Sequence, residues 1–96
     1  MYAVVIYDAS DAPSERRVVT HGQYANPAAA LAAAHEVIEA NLVLSLTAGL
    51  SAADAYEEWR QFGDVPSIVV RGGTPPIQFD PFAFARARAQ ELHRRT

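Results

Sequence analysis

The side chains most capable of chemistry in this sequence are its histidines and the polar groups near them. Asp8 ends an apolar run, and the next segment carries His21 and Tyr24. If these segments form a hairpin, His21 could pair with Asp8 or Tyr24, because proton transfer needs an imidazole and a partner within hydrogen-bond reach. His35 lies further along the chain. The pattern predicts a small-molecule or minor catalytic site near Asp8, His21, Tyr24 and His35, and it assigns no catalytic residue.

A metal site is a weaker interpretation of the same region. His35 and Glu39 are four residues apart, so on a helix they share one face. Two ligands do not make a site, and a third would have to come from elsewhere, for example His21. A solvated helix face is the ordinary explanation for such a pair. We therefore predict no metal and no cofactor.

A glycine-rich loop in "SIVVRGGTPPIQF" (residues 67–79) could in principle hold a phosphate. Such loops place their glycines between a strand and a helix N-terminus. Here Gly72 and Gly73 are followed by Thr74, Pro75 and Pro76. The two prolines lack the N–H groups that would bind the anion. The loop is predicted to be a turn.

Aromatic and arginine side chains give the candidate interaction residues. Tyr56, Trp59 and Phe62 lie on one stripe at helical spacing, which suits either core packing or a partner interface. Arg86 and Arg88 lie on the final helix, where they could dock on an acidic surface, including that of a second copy, or remain solvated.

Length and composition describe one small globular domain over residues 1–96. Half of the residues are hydrophobic, a fifth are charged, and cysteine is absent, which excludes disulfides and thiol catalysis. We expect a cytoplasmic protein, because Met1 leads into "YAVVIYD" without the basic region of a signal peptide. No apolar stretch is expected to approach the ~20 residues that span a bilayer.

The charge distribution argues against nucleic-acid binding. All eight basic residues are arginine, and the net charge is −3. From Arg86 onward four arginines face one glutamate, whereas the first 85 residues carry an excess of acids. Phosphate binding needs an extended basic face, which an acidic body with one basic helix does not supply.

The elements predicted to position these residues follow from periodicity and capping. Residues 2–8 and 16–24 are predicted to be strands, with both faces of the first apolar, and residues 65–71 and 76–79 add a third and a weaker fourth. Asn26 with Pro27, Ser51, and Asp80 with Pro81 mark three helix starts, and Gly49 and Gly63 mark stops. In the final helix, Phe82, Ala85, Ala89 and Leu92 are predicted to face inward. The order β-β-α-α-β-(β)-α predicts an α+β fold, an antiparallel sheet of three to four strands with helices packed on it.

Three segments carry a resemblance to a known family: "GQYANPAAALAAAHEVIEANL", "GLSAADAYEEWRQFGDVPSIV" and "FDPFAFARARAQEL". Over residues 2 to 92 the chain resembles small, uncharacterised bacterial proteins with an "EEAL"-type helix, a "GMTADELYE"-like capped helix and an "FGEDPFI"-like strand entry. The segment "ASDAPSERR" departs from that pattern. The resemblance implies a fold and no activity, since that family has none assigned.

The sequence therefore favours a non-enzymatic domain that acts by association, either with itself as a homo-oligomer or with another protein. The alternative is a small-molecule-binding protein or minor enzyme with its site near the histidines. Membrane association is not expected.

Overall fold

The computed structural model describes residues 1–70, 72 and 77–95. Seven elements follow one another along this part of the chain: β1 (Tyr2–Asp8), a 3-10 turn (Pro13–Glu15), β2 (Val19–Tyr24), α1 (Pro27–Thr47), α2 (Ala52–Phe62), β3 (Asp64–Val70) and α3 (Pro81–Arg95). The order confirms the predicted α+β class and the antiparallel sheet with helices packed on it.

The described sheet has three antiparallel strands in the order β2-β1-β3. Its central strand pairs Tyr2 with Tyr24 at one end and Asp8 with Asp64 at the other. The β1–β2 register shifts between Val4 and Val5, which leaves a bulge at His21. Both faces of β1 are apolar, and its residues from Tyr2 to Val5, which alternate between the two faces, are buried within the single chain.

Two hydrophobic cores share α1. Its first half places Ala30, Ala33 and Ala34 against Tyr2 and Val4 of the sheet, and the short side chains let the helix approach closely. Its second half contributes Ile38 and Leu42 to a cluster with α2 and α3. That second cluster consists of Ile38, Leu42, Ala55, Tyr56, Trp59, Val65, Ala85 and Ala89.

The helix starts are those that the caps predict. The side-chain oxygen of Asn26 accepts a hydrogen bond from the backbone N–H of Ala29 at 2.8 Å, and that of Ser51 accepts one from Asp54 at 3.1 Å. Asp80 Oδ1 accepts from the N–H groups of Phe82 and Ala83. Each cap satisfies backbone donors that the first helical turn leaves without a partner.

Several expected elements differ in extent. β2 begins at Val19, so residues 16–18 of the expected strand have no ladder partner in β1. Residues 77–79 form no strand, while Pro76, Arg71 and most of the glycine turn lie outside the described residues. Phe82, predicted to face inward, is 38% exposed, although its ring packs edge-on against the buried Trp59 ring at 5.4 Å between centroids. Phe84 also packs inward, because it lies on the α3 face that meets His35.

The expectation that no apolar stretch approaches bilayer length is wrong for α1. This helix has 21 residues, and its most apolar window has a mean hydropathy of 1.4, enough by length and composition alone to span a membrane. The core helix of a water-soluble protein passes the same test. Here Ile38 and Leu42 of α1 pack into the protein core.

Candidate functional site

The four residues predicted to form a ligand site are not brought together. Asp8 lies at the last position of β1, whereas Tyr24 is opposite Tyr2 at its first position. Six residues of strand separate the two ends by about 20 Å. The Asp8 carboxylate instead accepts hydrogen bonds from the Ser10 hydroxyl at 2.6 Å and the Ser10 N–H at 2.8 Å. These bonds lower the pKa of Asp8, the hydroxyl more than the N–H.

His35 lies in the interface between α1 and α3. Its imidazole stacks on the Phe84 ring, with 3.9 Å between ring centroids and 4° between planes, and the Phe79 centroid is 5.6 Å away. Burial lowers the pKa of His35; the Glu39 carboxylate opposes this shift, and the Arg88 guanidinium adds to it. Glu39 itself is bonded to Arg88, so the predicted His35–Glu39 pair is engaged in packing α1 against α3.

His21 is the predicted site residue that borders a cavity. The bulge in β2 places it beside a cavity of about 310 Å³ between the sheet and α1. Polar groups of both layers contribute to the wall. The cavity is lined by Ile6, His21, Glu36, Val37, Ala40, Asn41 and Asp64.

A second cavity, of about 220 Å³, continues along α1 and has Asn41 in common with the first. It lies where the end of α2 meets α1 and is lined by Asn41, Leu44, Ser45, Glu58, Trp59, Phe62 and Gly63. Two apolar side chains at this cavity are largely in water: Leu44 is 74% exposed and Phe62 is 59% exposed. We call the two cavities together the α1 groove.

The charges lining the α1 groove are mainly acidic. Glu36 and Asp64 border the first cavity, and Glu58 borders the second. Among the described lining residues, none is an arginine, and His21 is the one imidazole. Ser45, the one hydroxyl, borders the other cavity. The imidazole and the hydroxyl therefore line different cavities of the groove.

The five predicted interaction residues have different environments. Tyr56 and Trp59 are buried, and Trp59 Nε1 donates a 2.9 Å hydrogen bond to the Asp64 carbonyl oxygen. Phe62 is exposed at the α1 groove. Arg86 lies over the Tyr56 ring at 5.0 Å and borders a separate cavity of about 240 Å³ between α2 and α3.

Arg88, the fifth of these residues, is held by ion pairs within the chain. Its Nε is 2.6 Å from Glu39 Oε1, and its Nη1 is 2.7 Å from Glu91 Oε1. Both bonds raise its pKa further, the Glu91 bond more than the Glu39 bond.

One residue of the α1 groove, Leu44, was not predicted from the sequence. Its position away from the Leu31–Ile38–Leu42 stripe was the signal that could have revealed an apolar residue facing water.

Within the described residues, no group of three or more histidines and carboxylates is arranged to hold a metal ion. Comparison of the chain with protein-family models, curated proteins and solved structures finds no match. The resemblance stated from the sequence thus stays a prediction, and the function has to be argued from the groove itself.

Proposed function

We propose that the protein acts by binding another protein, whose docking segment carries an apolar anchor and basic side chains and lies in the α1 groove. The observation that carries this proposal is the exposure of Leu44 and Phe62 at the same cavity. Single exposed apolar residues are ordinary on protein surfaces, but two large ones at one concave site are typical of interaction surfaces.

The size of the second cavity supports an apolar anchor. Protein cavities of roughly 150 Å³ can hold a benzene ring, so a cavity of about 220 Å³ can take one aromatic or branched side chain. Such an anchor would remove Leu44 and Phe62 from water. Burying a large apolar side chain is worth about 1.5–3 kcal/mol relative to leaving it exposed.

The charge of the groove supports basic groups in the partner. Glu36, Glu58 and Asp64 are exposed along its length. Because like charges facing each other across an interface are costly, an acidic docking segment would be disfavoured and a basic one would be attracted. The aromatic helix α2 contributes to this proposal through Phe62, since Tyr56 and Trp59 are buried in the core.

Native mass spectrometry of the protein purified gently from its own cells tests the proposal. We expect the wild type to carry a second protein and Leu44→Glu or Phe62→Glu to lose it. Val43→Glu is the matched control, because Val43 is exposed on α1 and borders neither cavity. Equal recovery of the partner with the groove variants would overturn the proposed surface, and a wild type without a partner would overturn the function.

A second candidate function is small-molecule binding in the cavity beside His21. The imidazole of His21, the carboxylate of Glu36 and the amide of Asn41 line one cavity of about 310 Å³, which is large enough for a small polar metabolite. A metabolite that raises the melting temperature of the wild type but not of His21→Ala would support this function. A metabolite panel without any stabilising member would count against it.

A further inference from the structure

The two edges of the sheet differ in their capacity to pair with another strand. Pro66 lies in the middle of edge strand β3, opposite Ile6. Because proline has no N–H, its nitrogen cannot contribute to the ladder with β1 and must face the outer edge. That edge therefore lacks a donor at its centre, which blocks continuous pairing there.

The β2 edge has no such block between Arg16 and Thr20. Since Ile6 does not bond to Pro66, its backbone groups point toward β2 and its partner Val19. Alternation then directs the N–H and C=O groups of Val18 and Thr20 to the outer edge. Arg16, three residues before β2, also has extended dihedral angles (φ −63°, ψ 127°), so the backbone is already extended where it leaves the 3-10 turn.

The same segment exposes two β-branched side chains. Val18 is 63% exposed and Val19 is 64% exposed, although valine is among the residues that pack best in sheets. A strand edge with unpaired backbone groups and exposed valines can act as a template for pairing with a strand of another chain, and native proteins usually cover such edges. The bulge at His21 interrupts the edge and hinders pairing with another strand beyond it. The part of the edge that is open to pairing is therefore residues 16–20.

We propose that residues 16–20 pair antiparallel with the same residues of a second copy, about a two-fold axis at Val18. This contact joins two three-stranded sheets into one six-stranded sheet. An edge strand can pair with itself in this way because a two-fold axis makes both sides of the contact identical and antiparallel. Leu44 and Phe62, which the α1 groove variants change, are not among the residues of this contact.

Charge complementarity supports a second copy as the partner. With Val18 opposite Val18, Arg17 of each copy lies opposite Val19 of the other. Val19 pairs with Ile6, which borders the cavity that also holds Glu36 and Asp64. Residues two apart in a strand share one face of the sheet, so Arg17 lies on the same face as Val19. In the dimer, each Arg17 guanidinium therefore approaches the Glu36 and Asp64 carboxylates of the other copy.

A five-residue ladder is small compared with a standard interface, so we expect a concentration-dependent dimer. Sedimentation equilibrium from micromolar to millimolar concentration should show a monomer–dimer equilibrium in the wild type. Val18→Lys should shift it to monomer, while Val69→Lys on β3 should leave it unchanged. A wild type that stays monomeric at millimolar concentration overturns the proposal, as does a dimer that Val18→Lys leaves intact.

Cysteine cross-linking tests the geometry, because the natural chain has no cysteine and each variant carries a single thiol. Under mild oxidation Val18→Cys should form a disulfide-linked dimer, since paired strands place Cα atoms within disulfide range. Val69→Cys should remain largely monomeric. Equal cross-linking of the two variants, or efficient cross-linking of Val69→Cys alone, overturns the β2 pairing. A dimer lost with Leu44→Glu and kept with Val18→Lys would instead place the contact at the α1 groove.

Discussion

Trp59 and Asp64 are joined across the tight connection between α2 and β3: the indole Nε1 donates to the Asp64 carbonyl oxygen at 2.9 Å. The chain makes this connection through Gly63, whose N–H donates to the Trp59 carbonyl oxygen at 2.8 Å. The hydrogen bond satisfies the polar end of a buried indole. It also ties the helical core to the strand that borders the α1 groove.

The first prediction concerns Gly63. A Cβ at this position would lie 2.6 Å from Trp59 Cδ1 and 2.8 Å from the Trp59 carbonyl oxygen, and neither atom belongs to a flexible chain end. Gly63→Ala should therefore lower the free energy of unfolding by about 1–3 kcal/mol through overpacking. Urea denaturation measures the change. Gln61→Ala, at an exposed position of α2, is the control, with an expected change within about 0.5 kcal/mol.

The second prediction compares two leucines of α1. Leu42 is fully buried in the helical core, so Leu42→Ala should cost about 2–5 kcal/mol by leaving a cavity. Leu44 lies in water at the α1 groove, so Leu44→Ala should change the stability by less than about 0.5 kcal/mol. The same denaturation experiment measures both. A large loss with Leu44→Ala would mean that Leu44 has a structural role, and it would weaken the proposed docking surface.

The third prediction is a pH dependence that arises at His35. Because burial lowers the pKa of His35 in the folded protein, the unfolded chain takes up a proton first as the pH falls. The free energy of unfolding should thus be highest above the ordinary histidine range and should decrease as the pH drops through that range to the lower folded-state pKa. Glu39 weakens this dependence and Arg88 strengthens it.

His35→Gln should reduce that slope, because glutamine does not titrate. Ala87→Gln, at an exposed position of α3 that carries no titratable group, is the control and should retain it. Urea denaturation at a series of pH values measures the slope for each variant. An unchanged slope in His35→Gln would show that the pH dependence arises elsewhere.

The fourth prediction concerns the Glu39–Arg88 pair between α1 and α3. The side chains are 31% and 20% exposed, so solvent screens the interaction only in part. A double-mutant cycle with Glu39→Gln and Arg88→Met should give a coupling energy of about 1 kcal/mol. Added salt should reduce the coupling. A coupling near zero at low salt would contradict a stabilising role for this pair.

Local signals account for the parts of the fold that were predicted correctly. Asn26, Ser51 and Asp80 cap helices because a short polar side chain followed by helix formers satisfies the first N–H groups whatever the tertiary context. The buried stripe of α2 follows from helical spacing in the same way. Strand ends were less accurate: residues 16–18 have strand composition, but the β1 ladder ends before them.

Site prediction was harder because proximity depends on how elements are arranged. Asp8 and Tyr24 were considered as alternative partners of His21 within one site, but they belong to opposite ends of the antiparallel pair. Histidine is a residue type that often has a functional role, but the position of α3 packs His35 against Phe84. Leu44 and Phe62 could be recognised as candidate docking residues only from the structure, because they line one cavity where the end of α2 lies beside α1.

By itself, the sequence determined the element types, the cap positions and the α+β class, because those depend on interactions within a few residues. The tertiary structure alone decided which side chains meet. It turned Trp59 inward and left Phe62 in water, three residues apart on one helix, since packing against α1 and α3 covers only part of the helix surface. It likewise left β2 as the edge without a proline, because strand order is a long-range property that local spacing does not encode.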